Sequence, residues 1–214
     1  REGDLERVQF LTYSNWQAVK VNQAIRQQLF FSEEMLVPSE LVMVVKNNYA
    51  WGDSKRMPFV ANGEMGTIRH VDNDTYEERY GLKWVNAEIE FQDVRGEPLV
   101  LEGKVVLSLL QEKSPQLASE FRTRVWQERK AEYLGQNPKK AAELLRGDPY
   151  LNALQIKYGY AITGHKSQGG QWGNVLIGFE PDYGRNPLAY IRWAYTALTR
   201  AQERVFLMNC PFVQ

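Results

Sequence analysis

The sequence predicts an α/β fold: a parallel sheet with helices, whose chain is interrupted by an inserted β module and a helical segment. Three observations predict it. Both ends of the chain read as strand–helix units, the stretch between them carries short β-rich runs separated by turns, and a block of helix formers precedes the return to strand.

Taken in order, "RVQFLTYSN" (residues 7–15) reads as a short apolar strand running into a polar end. "WQAVKVNQAIRQQLF" (16–30) follows with Ala18, Val21, Ile25 and Leu29 at helical spacing, and Ser14 or Asn15 supplies the N-cap. "ELVMVVKNNYAWG" (40–52) is a β-branched run, and "FVANGEMGTIRHV" (59–71) places Asn62-Gly63 between apolar runs, a hairpin signal. "GLKWVNAEIEFQDVRGEPLVLEG" (81–103) alternates and breaks at Gly96 and Pro98, so these closely spaced strands suggest a small β barrel. Composition shifts near Ser114, with Ser114 as cap and Pro115 at the first helical position. Gly135 ends that helix, and Gly147 with Pro149 ends a second, shorter one. "QIKYGYAIT" (155–163) returns to strand, and "PLAYIRWAYTALTRAQ" followed by "RVFLMNC" closes the chain as helix and strand. Along the final helix Trp193, Ala197, Ala201 and Arg204 share one side. The expected boundaries are 1–70 with 151–214 for the α/β domain, 71–113 for the inserted β module and 114–150 for its helical excursion. An insertion is tolerated because its two ends lie close together.

Composition narrows the function classes. The 26 basic and 26 acidic residues balance, so no global signal for nucleic acid exists. Acids outnumber bases from Asp72 to Glu97 and bases outnumber acids from Lys157 to Arg204, which leaves a local basic face. A single Cys, Cys210, excludes an internal disulfide framework, and two His with one Cys argue against structural zinc. The N-terminal "REGDLERVQF" carries no signal-peptide core, and no apolar run reaches the ~18 residues of a membrane span. A soluble, cytoplasmic protein with no membrane partner is expected.

Two stretches carry chemistry. In "ITGHKSQGGQW" (162–172) a polar loop leaves the C-terminal end of a strand, where open α/β sheets bind ligands. Gly169 and Gly170 let backbone N–H groups approach an anion, and Thr163, His165, Lys166, Ser167 and Gln168 add donors. The competing reading is a plain strand-to-helix turn. In "RWAYTALTRAQERVFLMN" (192–209) Arg200 sits just before a strand, where its planar fork suits phosphoryl oxygens. Alone, a helix C-terminal Arg favouring the dipole by about 0.3–1 kcal/mol explains it as well.

The pair together resembles motifs V and VI of superfamily 1 DNA helicases, in the RecD-like branch with its UvrD-like C-terminal domain. The carrying residues are "AITGHKSQG" and "YTALTRAQERV"; "LTYSNWQAVKVNQAI" is similar to the motif IV region and "LVMVVKNNY…FVANGEMGTI" to the stretch leading to an Asn-Gly turn. The resemblance implies a RecA-like (P-loop NTPase type) domain 2A interrupted by an SH3-like barrel, domain 2B. It implies that Arg200 is an arginine finger for the γ-phosphate of ATP, and that Gln168 and Gly169 contact the nucleotide side of the cleft. Thr163, His165 and Lys166 become contacts to the single-stranded DNA backbone, with Asn15 and Ser14 as weaker candidates at the motif IV strand end. Tyr195 and Thr196 begin motif VI. Gly164 departs from the pattern, standing where the family often has a larger residue.

The sequence contains no G-x-x-x-x-G-K-[ST] phosphate loop. The resemblance therefore implies half of an ATP site, with ATP and Mg²⁺ belonging to the full-length parent and none held tightly by this chain. The chain reads as a C-terminal portion that is inactive alone and partnered by an N-terminal RecA-like domain of the same protein. Single-stranded DNA is a further implied partner, and other subunits of a repair or recombination complex remain open. Movement 5′ to 3′ is what the branch implies. Two alternatives come from the residues. One is a standalone single-strand binding module without ATPase activity, stacking bases on Trp84, Tyr49 or Trp51. The other is a metal-dependent nuclease using Glu88, Glu90 and Asp93, against which a solvated acidic strand weighs heavily; no metal site is expected. His70 is expected on a strand surface.

Overall fold

A computed structural model describes residues 7–53, 55–181 and 186–211. The chain divides into two compact units, one built from the segments through Phe31 and from Tyr158 onward, the other from Ser32–Lys157.

The first unit is a four-stranded sheet in the order β7-β1-β8-β9. Its strands are β1 (Val8–Thr12), β7 (Ala161–Thr163), β8 (Trp172–Gly178) and β9 (Ala201–Met208). Every pairing is parallel, with Phe10 opposite Ala161 and Leu176, and Val175 opposite Val205. The central strands read as apolar runs because both faces are covered: Leu11, Val175 and Ile177 are fully buried. Gln9, the buried polar residue of β1, gives its amide to the carbonyls of Gly159 and Tyr160 at 3.1 and 3.0 Å. The order of the termini thus matches the expected α/β unit.

Helix α1 (Asn15–Phe30) begins where Ser14 caps it, its hydroxyl accepting from the Gln17 amide. The expected apolar stripe is buried only in part, with Val21 and Ile25 half-buried. Ala18 and Asn22 are buried, while Leu29 is 44% exposed. The cause is the free edge of β7. Asn22 donates to the Ala161 carbonyl at 2.7 Å and accepts from the Ala161 amide at 2.8 Å, so an amide side chain does the work of a neighbouring strand.

The second unit is a closed five-stranded barrel, β2-β3-β4-β5-β6. The strands are β2 (Leu41–Val44), β3 (Met65–Arg79), β4 (Leu82–Gln92), β5 (Pro98–Val106) and β6 (Leu154–Tyr158). Alternation along β4 buries Val85, Ala87, Ile89 and Phe91 on one face, while Trp84 is buried on the other against Tyr80 and Tyr150. The Asn62-Gly63 turn forms, with Gly63 at φ 93° and its amide on the Val44 carbonyl. The hairpin it was expected to close is longer, since β2 pairs with β3 only from Met43 opposite Met65 outward. The expected boundary at residue 70 is therefore corrected: residues 32–70 belong to the barrel, because β2 and the start of β3 are two of its walls. Residues 151–157 join them, since β6 closes the barrel beside β5.

Helix α2 (Ser119–Gln136) starts later than the Ser114-Pro115 signal predicts, with Ala118 at its N-cap. The Ser114 hydroxyl is spent on the Gln116 carbonyl instead. Helix α3 (Ala141–Arg146) follows. These helices are tied to the barrel by a buried polar cluster. Arg129 donates to Asp148 at 2.5 Å and to the Tyr133 hydroxyl at 2.6 Å, and it pairs with Glu132. Asp148 also accepts the Tyr150 and Leu151 amides at 2.9 Å. Tyr150 reaches barrel residue Glu77 at 2.8 Å, and its ring stands edge-on to Tyr80 and Trp84.

Removing one partner of a buried ion pair strands the other charge. Asp148→Ala should therefore lower unfolding free energy by about 3 kcal/mol in a urea titration, by the magnitude typical of such pairs. A loss below roughly 1 kcal/mol, the range of exposed pairs, would show that the cluster is dispensable.

Candidate functional site

All four strands of the first unit run the same way, so Thr12, Thr163 and Gly178 end at one edge, while Trp172 and Ala201 start at the other. The link from β7 to β8, Gly164–Gln171, must run from the first edge to the second. It does so without the helix and the dozen or so residues usual for a parallel crossover. Its two ends are pinned at opposite edges: the Gly164 amide donates to the Thr12 carbonyl at 3.0 Å, and the Trp172 amide donates to the Arg200 carbonyl at 3.0 Å.

The loop opens as a tight turn. The Thr163 carbonyl accepts the Lys166 and Ser167 amides, and the buried Ser167 hydroxyl donates to the Gly164 carbonyl at 2.8 Å. Gly169 sits at φ 89°, a conformation that favours glycine.

Helix α4 (Pro187–Leu198) covers the loop. Asn186 caps it through the Ala189 amide, with Pro187 in its first turn. Ala201 and Arg204, expected to continue the helix face of Trp193 and Ala197, lie in β9 instead. The helix is held by a ring cluster of Tyr13, Phe179, Tyr190 and Trp193, with centroids 5.0–6.2 Å apart. The Trp193 indole N–H donates to the Thr12 carbonyl at 3.2 Å. The same indole explains the unexpected glycine: a Cβ on Gly164 would lie 2.6 Å from Trp193 Cδ1.

Between loop and helix lies a cleft of about 340 Å³ lined by His165, Gln168, Asn186, Arg192 and Thr196 among others. His165, Gln168 and Arg192 are exposed there. Lys166 is half-buried, and burial pushes its amine below the usual lysine range. No partner for that ammonium is found among the described residues, so an anion is the compensation it lacks.

At the far end of the loop stands Arg200. Its guanidinium donates to the Thr196 carbonyl at 3.0 Å, the Thr199 hydroxyl at 3.1 Å and the Gly170 carbonyl at 3.4 Å. Arg200 thus meets the loop at Gly170, the residue after Gly169, at the edge where β8 and β9 begin, while Gln168 lines the cleft with His165 and Arg192. Thr163 is elsewhere: it closes β7 at the opposite edge and is buried, so its backbone, not a surface hydroxyl, is what the loop uses. Asn15 is the first residue of α1, half-buried beyond β1, and the Ser14 amide is taken by the Glu180 carboxylate at 2.7 Å. Tyr195 is exposed on α4, and the Thr196 hydroxyl donates to the Arg192 carbonyl. Asn186 and Arg192 were not singled out from sequence, although the Asn-Pro start of the helix was a readable signal.

The other candidates resolve differently. Trp84 and Trp51 are buried, whereas Tyr49 is 72% exposed. Glu90 is paired with Arg69 at 2.7 Å. Asp93 accepts the Arg95 and Glu97 amides and pairs with Arg56, so these carboxylates serve turns and ion pairs. Among the described residues no group of His, Cys, Asp and Glu is placed to hold a metal ion. His70 is exposed on β3, and no described helix is long and apolar enough to cross a membrane.

Residues 158–208, which include the Gly164–Gln171 loop, α4 and Arg200, match the UvrD-like helicase C-terminal domain. Among solved structures, the Pif1 helicase from Bacteroides in complex with ADP-AlF3 and single-stranded DNA is similar at 12% identity and TM-score 0.50. The match covers 98% of this chain and 41% of that one. The Pif1 helicase from Candida albicans matches at 14% identity and TM-score 0.48, covering 95% and 45%. The chain thus spans less than half the length of either. At these identities the likeness concerns fold: a parallel sheet with helices, interrupted by a barrel. No curated protein matches the sequence.

The Trp193–Gly164 fit makes a sharp test. Gly164→Ala should destabilise by about 1–3 kcal/mol through overpacking, and pairing it with Trp193→Leu should recover part of that loss, a coupling read in a double-mutant cycle. Strict additivity would remove the indole as the cause. Lys166→Met should raise the thermal midpoint, because it relieves an amine whose charged form burial disfavours.

Proposed function

We propose that the chain is the C-terminal motor lobe, domain 2A with an inserted SH3-like 2B barrel, of a superfamily 1 DNA helicase of the RecD-like branch. The observation that carries the reading is the meeting of Arg200 with the Gly164–Gln171 loop, inside the segment that matches the UvrD-like helicase C-terminal domain. The arrangement suits a lobe that completes an ATP site held mainly by another domain. Arg200 is a cation held against the Gly170 carbonyl, and Gln168 and Gly169 precede that contact in the same loop. The guanidinium reaches a γ-phosphate by exchanging its contacts with Gly170 and Thr199 for phosphoryl oxygens, which its planar fork fits better than a single carbonyl. ATP and Mg²⁺ fit these residues only in part. The chain supplies a cation and amide donors for phosphate, while the phosphate loop and the metal-binding carboxylate would come from the partner lobe. What bound ATP supplies is the γ-phosphoryl group whose transfer to water releases free energy.

His165 and Lys166 take the single-stranded DNA backbone. The loop that carries them ends on Arg200, so nucleotide contact at one end and strand contact at the other share one short segment. Direction of travel, 5′ to 3′, a cytoplasmic setting and membership of a repair or recombination complex are the finer parts of this reading and rest on the sequence motifs. A second reading, a single-strand binding module working without ATP, is favoured by one observation, the exposure of Tyr49.

The test uses a polypeptide that joins this chain to a lobe with a phosphate loop. Arg200→Ala should lower ATP turnover by about 10³-fold or more while nucleotide binding persists, as for other arginine fingers. His165→Ala should leave basal turnover and blunt its stimulation by single-stranded DNA. Turnover unaffected by Arg200→Ala would end the motor reading.

A further inference from the structure

The barrel unit carries a surface that the proposed motor chemistry does not use. Tyr49 is 72% exposed and its ring lies against Phe59, centroids 5.2 Å apart and 31° from parallel. Phe59 supports one side of the tyrosine, and the exposure of Tyr49 leaves the other ring face to solvent. Beside it is a cleft of about 250 Å³ lined by Lys46, Asn47, Asn48, Tyr49, Asn152 and Gln155 among others. Its amides are fixed in place. Asn47 accepts the Asn62 amide at 2.8 Å, Asn48 donates to the Asn152 carbonyl at 2.8 Å, and Gln155 accepts the Leu117 amide at 3.3 Å.

One cation lines this cleft and a second, the exposed Arg122 of α2, lies near it; neither is in an ion pair among the described residues. Lys46 lines it. Arg122 follows closely on Leu117, whose amide is bound to Gln155, and it is near enough to Lys46 to disfavour the lysine's charge after burial has done so first. Like charges held together are destabilising unless an anion joins them. The nearest acid along this loop, Asp53, is engaged by its own turn, accepting the Lys55 and Arg56 amides at 2.8 and 3.1 Å. Along α2 the cationic and aromatic character continues: Arg122, Trp126 and Lys130 recur every fourth residue, with Lys130 4.6 Å from the Trp126 ring centre. Trp126 is 45% exposed.

We propose that this face of the barrel is a second binding site for single-stranded nucleic acid. A base stacks on the open face of Tyr49, and the backbone phosphate lies between Lys46 and Arg122. The combination is what strand-binding surfaces need: an aromatic plane that accepts any base, and cations that track the backbone. A peptide partner would require apolar anchor pockets, and most side chains lining this cleft are polar. A duplex keeps its base faces stacked and leaves Tyr49 without a partner. The site rests on the reading of the chain as a single-strand tracking lobe and adds to it a contact outside the Gly164–Gln171 loop.

The experiment titrates the 214-residue chain into fluorescein-labelled oligo(dT) at low ionic strength and follows anisotropy. Tyr49→Ala should weaken binding by about 5- to 100-fold, the range for loss of one stacked base, while Tyr49→Phe keeps it. Lys46→Ala and Arg122→Ala should each lower the salt dependence by about one counterion. The loop variant His165→Ala/Lys166→Ala separates the two sites. Binding lost there but retained in Tyr49→Ala overturns the barrel site and leaves the motor reading standing. The reverse pattern supports the barrel site and counts against the loop. Binding unchanged in Tyr49→Ala, or no binding by the unaltered chain, also overturns the proposal.

Discussion

The first unit depends on one indole. Trp193 donates its N–H to the carbonyl that ends β1 and fills the space where residue 164 would carry a side chain. Three pieces of chain distant in sequence are thereby registered: the tip of the central strand, the start of the polar loop and the middle of the covering helix. A buried carbonyl at a strand tip must be satisfied, and a bulky ring needs a neighbour without a side chain. Both requirements are met by the same residue. The polar loop takes its course from that fit, and the far end of the loop is where Arg200 waits.

The fold was legible wherever a pattern was local. Ser14 as helix cap, the Asn62-Gly63 turn and the alternation along β4 could be read from neighbours in sequence, and each forms. What misled was long-range. The stripe Ala18, Val21, Ile25, Leu29 is apolar, yet α1 turns toward Asn22 because β7 has an edge to satisfy, which no window on the helix reveals. Likewise residues 32–70 read as part of the α/β domain because they adjoin it in sequence, while pairing assigns them to the barrel. For the site, residue types were legible and placement was not. Thr163 and Arg200 sit at opposite edges of the sheet, and Gly164 is a glycine for the sake of a tryptophan further along the chain.

The helical excursion shows how a barrel this small supports an appendage. Helices α2 and α3 bury few apolar residues of their own: Val125 and Ala141 are the buried aliphatics on them. Charge takes over, through Arg129 and Asp148, with Tyr133, Tyr150 and Tyr80 supplying hydroxyls and ring faces. Such clusters demand complete pairing, and within the described residues every buried side-chain polar atom has a partner. The arrangement fixes the direction of α2, and so the position of the cations along it.

The order of the chain has a kinetic consequence. β1 precedes the barrel in the chain, yet its partners β7 and β8 follow the whole barrel, and Gln9 and Asn22 bind carbonyls beyond residue 158. Closing so long a loop from a fluctuating chain carries a large entropic penalty, and folding the intervening module first shortens the effective loop. During synthesis the barrel is therefore the natural first product. The nascent β1–α1 arm stays unpaired until the ribosome has delivered the segment that carries β7 and β8.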